Sequence, residues 1–188
     1  MKILMLQGSP KNGGNTATML GWMKEAMDEK AHDVEILNIG DYEIKGCLGC
    51  AACKEIPDAI GCVQDDDAEA VLTKMMEADL TIFSSPTYFW GFTAQMKALM
   101  DRSWGLVTGY HTPEHASLVE GKKQALFVNG GGPYDGNVEG LFFAFNKLAA
   151  FYKSENAGEL YIGACKMGVP LPEDAREKVD AFVEEILA

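Results

Sequence analysis

The stretch MKILMLQGSPKNGGNT, Met1–Thr16, decides the fold. Ile3 to Leu6 form a short apolar run that stops at Gly8. A small polar loop follows, and helical spacing of apolar residues begins near Asn15. The order is strand, tight loop, helix start. A helix N-terminus carries unpaired N–H groups and the positive end of the helix dipole, and both favour an anion. The loop supplies Ser9, Asn12, Asn15 and Thr16, the cation Lys11, and glycines such as Gly13 that let backbone amides approach a ligand. The stretch reads as a phosphate cradle at the first turn of an α/β fold. The plainer alternative is a polar turn with a good N-cap.

Outward from that turn the pattern repeats. Residues 2–7 are a near-continuous apolar run without alternation, as in a buried parallel strand. Residues 15–30 carry Met19, Leu20, Met23, Ala26 and Met27 at helical spacing. Further strands are predicted over 33–38, 79–84, 123–129 and 157–164, and further helices over 67–77, 92–104, 138–152 and 172–187, the last with Pro172 near its start. Five βα units in a row call for a parallel sheet with right-handed crossovers and helices on both faces. No repeat, linker or low-complexity segment interrupts the chain, so residues 1–188 read as one domain.

Composition narrows the function. Lys plus Arg is 16 and Asp plus Glu is 28, a net charge of −12 with no basic block. That argues against nucleic acid and against an anionic membrane surface. No apolar stretch approaches the ~20 residues that span a bilayer. The first apolar run is too short for a signal-peptide core, so the expected location is cytoplasmic.

Three loops follow the C-terminal ends of strands and can line one site, since open α/β sheets bind ligands at that edge. The first is not a Walker A loop, because no Gly-Lys-Ser/Thr closes it. It is not a dinucleotide fingerprint either, because Pro10 stands where the second glycine belongs. The second loop, Pro86-Thr87-Tyr88-Phe89-Trp90, sets three large aromatics in a row. Such rings call for a ligand, a neighbouring helix or a partner subunit to cover them. The third loop has Gly130, Gly131 and Gly132, whose amides can reach the carbonyl edge of a ring. Together the loops suit a flat heteroaromatic mononucleotide, and flavin mononucleotide (FMN) fits that description.

Residues 8–16 (GSPKNGGNT), Ser85 to Phe89, Gln95-Met96-Lys97 and Asp101-Arg102 resemble the NAD(P)H-dependent FMN reductase group. Cys47-x-x-Cys50-x-x-Cys53 with Cys62 and Asp65-Asp66 resembles its iron–sulfur flavoprotein branch. The resemblance spans nearly the whole chain. It implies a flavodoxin-like three-layer sandwich with strand order 2-1-3-4-5, FMN as cofactor and NAD(P)H as co-substrate. It further implies that Ser9, Lys11, Asn12, Gly13, Asn15 and Thr16 hold the phosphate. Pro86, Thr87, Tyr88, Phe89 and Trp90 would line the ring, and Gly130 to Gly132 would contact its other edge. A homodimer or homotetramer and a small redox acceptor complete the expectation.

The chain has five cysteines, and Cys47, Cys50, Cys53 and Cys62 lie within the aperiodic segment 40–66. Clustered cysteines without a secretion signal read as metal or redox ligands. Two-residue gaps let thiolates converge, and four can hold a 4Fe-4S cluster. The last gap, residues 54–61, is longer than the branch pattern, and Pro57 with Gly61 can fold the excess into a bulge. Zinc, or a metal-free loop packed near the flavin, are the alternatives. Cys165 stands alone at a strand end and reads as a small buried hydrophobe. His32, His111 and His115 have no partner at ligand spacing. Three functions are therefore open: a reductase that oxidises NAD(P)H, a carrier that takes electrons from ferredoxin through a cluster, or a non-redox regulatory or binding module on the same scaffold.

Overall fold

The structure is a computed structural model that describes residues 1–56 and 58–188. Strands β1 (Lys2–Gln7), β2 (Asp33–Asn38), β3 (Leu80–Pro86), β6 (Lys123–Asn129) and β7 (Glu155–Ile162) form one parallel sheet in the order β2-β1-β3-β6-β7. Counting these five alone, the order is 2-1-3-4-5, as the resemblance implies. Two further strands, β4 (Val107–Thr108) and β5 (Ala116–Ser117), pair antiparallel between β3 and β6, where the sequence predicts no strand. Two-residue strands are too short to show a hydrophobic period.

Five α-helices cover the sheet: α1 (Asn15–Glu29), α2 (Ala68–Glu77), α3 (Ala94–Arg102), α4 (Glu139–Phe151) and α5 (Ala175–Leu187). Helices α1 and α5 bury Met19, Leu20, Met23, Val179, Phe182 and Val183 against one face. Helices α2, α3 and α4 bury Leu72, Met96, Leu99 and Phe145 against the other. Both faces are apolar, so the strands need no alternation. Most element ends agree with the sequence reading within a few residues. Helix α3 ends sooner, giving way to a 3-10 turn over Ser103–Leu106. Helix α5 starts at Ala175, not at Pro172; the N–H of Ala175 donates to the Pro172 carbonyl at 3.0 Å.

Side chains lock the first loop onto the sheet edge. The Gly8 N–H donates to the Ser84 carbonyl at 2.7 Å. A Cβ on Gly8 would lie 3.0 Å from that oxygen and from Met96 Cβ, so the β1 strand end sits close against β3 and α3. Thr93 caps α3 by accepting from the Met96 N–H at 3.3 Å, and its hydroxyl donates to the Gly8 carbonyl at 2.7 Å. The first loop and the start of α3 are thereby one unit. Among the described residues no helix is long and apolar enough to cross a membrane.

Candidate cofactor site

Two cavities lie side by side at the C-terminal edge of the sheet. The first, about 360 Å³, is walled by Ser9, Lys11, Gly13, Asn15 and Thr16 from the first loop, and by Pro86 and Tyr88. The second, about 270 Å³, is walled by Thr87, Phe89, Trp90 and Gly130 to Gly132, with Asn137 and Tyr161. The Pro86–Trp90 segment thus divides between them, Pro86 and Tyr88 facing the first cavity and Thr87, Phe89 and Trp90 the second. All the sequence-predicted loop residues except Asn12 line one cavity or the other. The side-chain oxygen of Asn12 accepts a hydrogen bond from Asn38 Nδ2, at the end of β2.

The first cavity is shaped for an anion. Gly14 occupies the N-cap of α1 and no side chain caps the helix, so the first-turn amides stay open. Ser9 Oγ accepts from the Lys11 N–H at 3.2 Å and shapes the loop. The Thr16 hydroxyl is buried and donates to Asn129 Oδ1 at 2.7 Å.

The second cavity suits a flat polar edge. Thr87 Oγ1 is buried with no hydrogen-bond partner among the described residues. An orphaned hydroxyl is costly unless a ligand meets it. A Cβ on Gly130 would lie 2.8 Å from the Tyr161 hydroxyl and 3.1 Å from Thr87 Oγ1, so only glycine leaves this wall its shape. The Gly130 amide is already spent, donating to the Ile162 carbonyl at 3.1 Å. That narrows the expectation for the triple-glycine loop to Gly131 and Gly132. The Tyr161 hydroxyl donates to the Gly132 carbonyl at 2.7 Å and fixes the loop.

The aromatic turn is open. Tyr88 and Gly91 exchange both backbone hydrogen bonds at 3.0 Å, with Phe89 and Trp90 at the tip. Their φ values are +46° and +60°, a left-handed pair that usually calls for Asn-Gly. Phe89 is 95% exposed and Trp90 64% exposed, so no neighbouring helix of this chain covers them. Strain and exposure together at a cavity mouth mark a contact surface.

Sequence reasoning missed the far wall of the first cavity, which is Asn129, Cys165, Met167 and Gly168. Cys165 is half-buried and packs against the core, and burial pushes its thiol up. Lys11 Nζ contacts Met167 Sδ at 3.4 Å across the cavity. The signal was topological: β7 ends at the same edge as β1, β3 and β6, so the residues just beyond its C-terminal end must face the cradle.

The cysteine segment forms a separate pocket. Cys47, Cys50, Cys53 and Cys62 line a cavity of about 20 Å³ together with Arg102 and Trp104. Cys47 and Cys50 lie on an exposed outer arm on either side of left-handed Gly49, whereas Cys53 and Cys62 are half-buried. Among the described residues no three His, Cys, Asp or Glu side chains gather closely enough to hold a metal ion, so the expected convergence of the thiols stops at a shared cavity. Pro57 of the expected bulge lies outside the described residues; Gly61 takes φ +60°. Burial pushes the Cys53 thiol up, against the pull of the Lys54 ammonium, and the Cys62 and Cys47 sulfurs add to the rise. The donor set, four thiols around one cavity with Arg102 on its wall, is of the kind that iron–sulfur clusters use.

Residues 1–139 match the family described as NADPH-dependent FMN reductase. An iron–sulfur flavoprotein of Methanocaldococcus jannaschii is 40% identical over 110 residues, 58% of this chain and 55% of that protein. One from Archaeoglobus fulgidus is 44% identical over 103 residues, 55% of this chain and 49% of that protein. The chain thus spans about half the length of these relatives. A second M. jannaschii iron–sulfur flavoprotein is 33% identical over 153 residues, covering 79% of this chain and 73% of its own length. Among solved structures, an FMN-dependent NADH-azoreductase of Bacillus anthracis aligns over 100% of both chains, with a TM-score of 0.74 at 13% identity. The NAD(P)H:quinone oxidoreductase of Methanothermobacter marburgensis aligns over 97% of this chain and 95% of its own, with a TM-score of 0.71 at 16% identity. These two share the fold. By its family match and its iron–sulfur flavoprotein relatives, the chain belongs to the NADPH-dependent FMN reductase family.

Proposed function

We propose that the chain is an FMN-dependent oxidoreductase that passes electrons between NAD(P)H, or a reduced carrier, and a small acceptor such as a flavin or quinone. The carrying observation is the pair of cavities on either side of Pro86–Trp90, one with open helix amides and one with an orphaned Thr87 hydroxyl. Ser9, Lys11, Gly13, Asn15 and Thr16 would hold the phosphate, and Thr87 with the amides of Gly131 and Gly132 would meet the polar edge of the ring. Bound FMN would supply the hydride and one-electron chemistry, which no side chain offers. The protein positions, excludes water and offers donors where negative charge grows. The exposed Phe89 and Trp90 support a homodimer or homotetramer, in which a second copy covers them.

Anaerobic purification followed by an ultraviolet–visible spectrum tests this directly. Flavin bands and NADPH oxidation coupled to a quinone are expected. A colourless protein that takes up no FMN on titration overturns the reading.

A second reading has its own support, the four cysteines around one cavity. In it Cys47, Cys50, Cys53 and Cys62 hold a 4Fe-4S cluster, and the chain is an electron carrier supplied by ferredoxin. Roughly four irons per chain are then expected. Cys50→Ser should abolish the broad visible absorbance and leave the flavin bands. An unchanged anaerobic spectrum refutes the cluster.

A further inference from the structure

We propose that Arg102 is a positioning residue, one that holds Cys62 as the fourth thiolate of the cysteine cavity and tunes the group bound there. The inference rests on the iron–sulfur reading above. Arg102 and Asp66 form an ion pair whose side chains are 1% and 0% exposed. Nη1 donates to Asp66 Oδ2 at 2.5 Å and Nη2 to Asp66 Oδ1 at 2.9 Å, a two-pronged grip that fixes the guanidinium plane. Two further bonds leave this fixed plane. Nη1 donates to the Lys45 carbonyl at 3.0 Å, just before Cys47, and Nη2 donates to Cys62 Sγ at 3.2 Å. The Lys45 N–H in turn donates to Asp66 Oδ2 at 3.0 Å. One buried pair therefore closes the neck of the whole cysteine loop.

This explains how the long last gap is tolerated. Ile60 is 4% exposed and anchors the insert in the core. Gly61 turns the chain with φ +60°, and a Cβ placed on it would lie 3.4 Å from Cys53 Cα. The backbone at 61 therefore runs beside Cys53, and Cys62 comes next in the chain, where Arg102 meets it. The position of Cys62 is set by α3 and not by the length of the insert.

A neck clamp alone would need only the Lys45 and Asp66 bonds. The bond to sulfur adds chemistry. An N–H aimed at a ligand sulfur stabilises the extra negative charge of a reduced cluster and raises its potential. Lysine cannot replace this, since a single ammonium lacks the fork that serves Asp66 and Cys62 together.

The test uses the full chain reconstituted anaerobically with ferrous iron and sulfide, and the apoprotein titrated with cobalt(II). Arg102→Lys and Arg102→Gln should each lower the midpoint potential of the retained cluster. A tenfold loss in the one-electron reduction equilibrium corresponds to about 59 mV. Cobalt affinity should fall about 10-fold or more in Arg102→Gln. The double variant with Cys62→Ser should lose less cobalt affinity than the two single losses together, because part of what Arg102 does runs through that sulfur. If Arg102→Gln does not fold, Arg102→Lys and its double variant carry the same comparison. Unchanged potential and affinity, or additive losses in the double variant, overturn the inference while the cluster reading stands. A wild-type chain that takes up neither iron nor cobalt through thiolates overturns both.

Discussion

The Thr16 hydroxyl donates to Asn129 Oδ1 at 2.7 Å, joining the first turn of α1 to the C-terminal end of β6. Both side chains are buried, and both line the first cavity. This bond fixes the distance between the cradle and the glycine loop. Thr16→Val keeps the shape and leaves Asn129 unpaired, which costs about 1–3 kcal/mol. Urea unfolding should show that loss, and fluorescence titration should show weaker FMN binding. Adding Ser9→Ala should weaken binding further, since Ser9 Oγ shapes the same loop through the Lys11 amide. Unchanged FMN affinity in the double variant refutes the cradle.

The Asp66–Arg102 pair makes stability depend on acid. The Arg102 hydrogen bond, helped by the backbone amides of Lys45 and Ala68, holds the Asp66 carboxyl at about 2, from an ordinary value near 3.8. The folded state therefore binds its proton less readily than the unfolded state. The stabilisation is fully present above about pH 4 and is lost as pH falls from there toward 2. Roughly 2 kcal/mol is at stake. Urea midpoints at pH 6 and pH 3 should differ by more in wild type than in Asp66→Asn. Parallel curves for the two proteins count against the assignment.

Glycines 13 and 130 provide a contrast within one site. A Cβ at Gly13 meets nothing within 4 Å, whereas at Gly130 it meets the Tyr161 hydroxyl at 2.8 Å. Gly13→Ala should leave stability nearly unchanged, since the added Cβ displaces no protein atom. Gly130→Ala must displace Tyr161 or Thr87, at a cost of about 1–3 kcal/mol. It should weaken FMN binding as well, because Tyr161 fixes the Gly132 carbonyl. Equal effects on the thermal melts of the two variants, or an unweakened FMN titration in Gly130→Ala, dismiss the close-packed wall.

Phe89 and Trp90 hold a turn that their own chemistry disfavours, with φ +46° and +60°. Replacing the pair with Asn-Gly should relieve about 1 kcal/mol per residue. The melting temperature is expected to rise. Turnover with an aromatic acceptor is expected to fall, the usual exchange where strain serves function. A variant that is both more stable and fully active shows that the tip is dispensable.

The fold was legible because its signals are local. A buried strand, Gly8 and the α1 period lie within the first thirty residues, and the same grammar recurs through β3 and β6. That Ser9, Lys11, Asn15 and Thr16 share one cavity was legible for the same reason, as they are contiguous or nearly so. The illegible parts depend on distant partners. Asn12 looks like its neighbours until Asn38, across on β2, claims its side chain. Gly130 looks like a free amide until β7 brings the Ile162 carbonyl to it. Cys165 and Met167 carry no pattern of their own, and only strand order puts them opposite Lys11. The cysteines were visible as a set, but Arg102, forty residues beyond Cys62, was not visible as their brace.

The first cavity is walled on one side by residues from Ser9 to Thr16 and on the other by Cys165, Met167 and Gly168, beyond β7. The pocket thus has a floor and a rim drawn from opposite ends of the chain. Substitutions on the floor strike at cofactor retention and so at every activity together. Substitutions on the rim leave the anchor intact and redraw the opening through which a donor or acceptor must pass. Diversification of this scaffold toward new redox partners has its cheapest route in the short segment after β7.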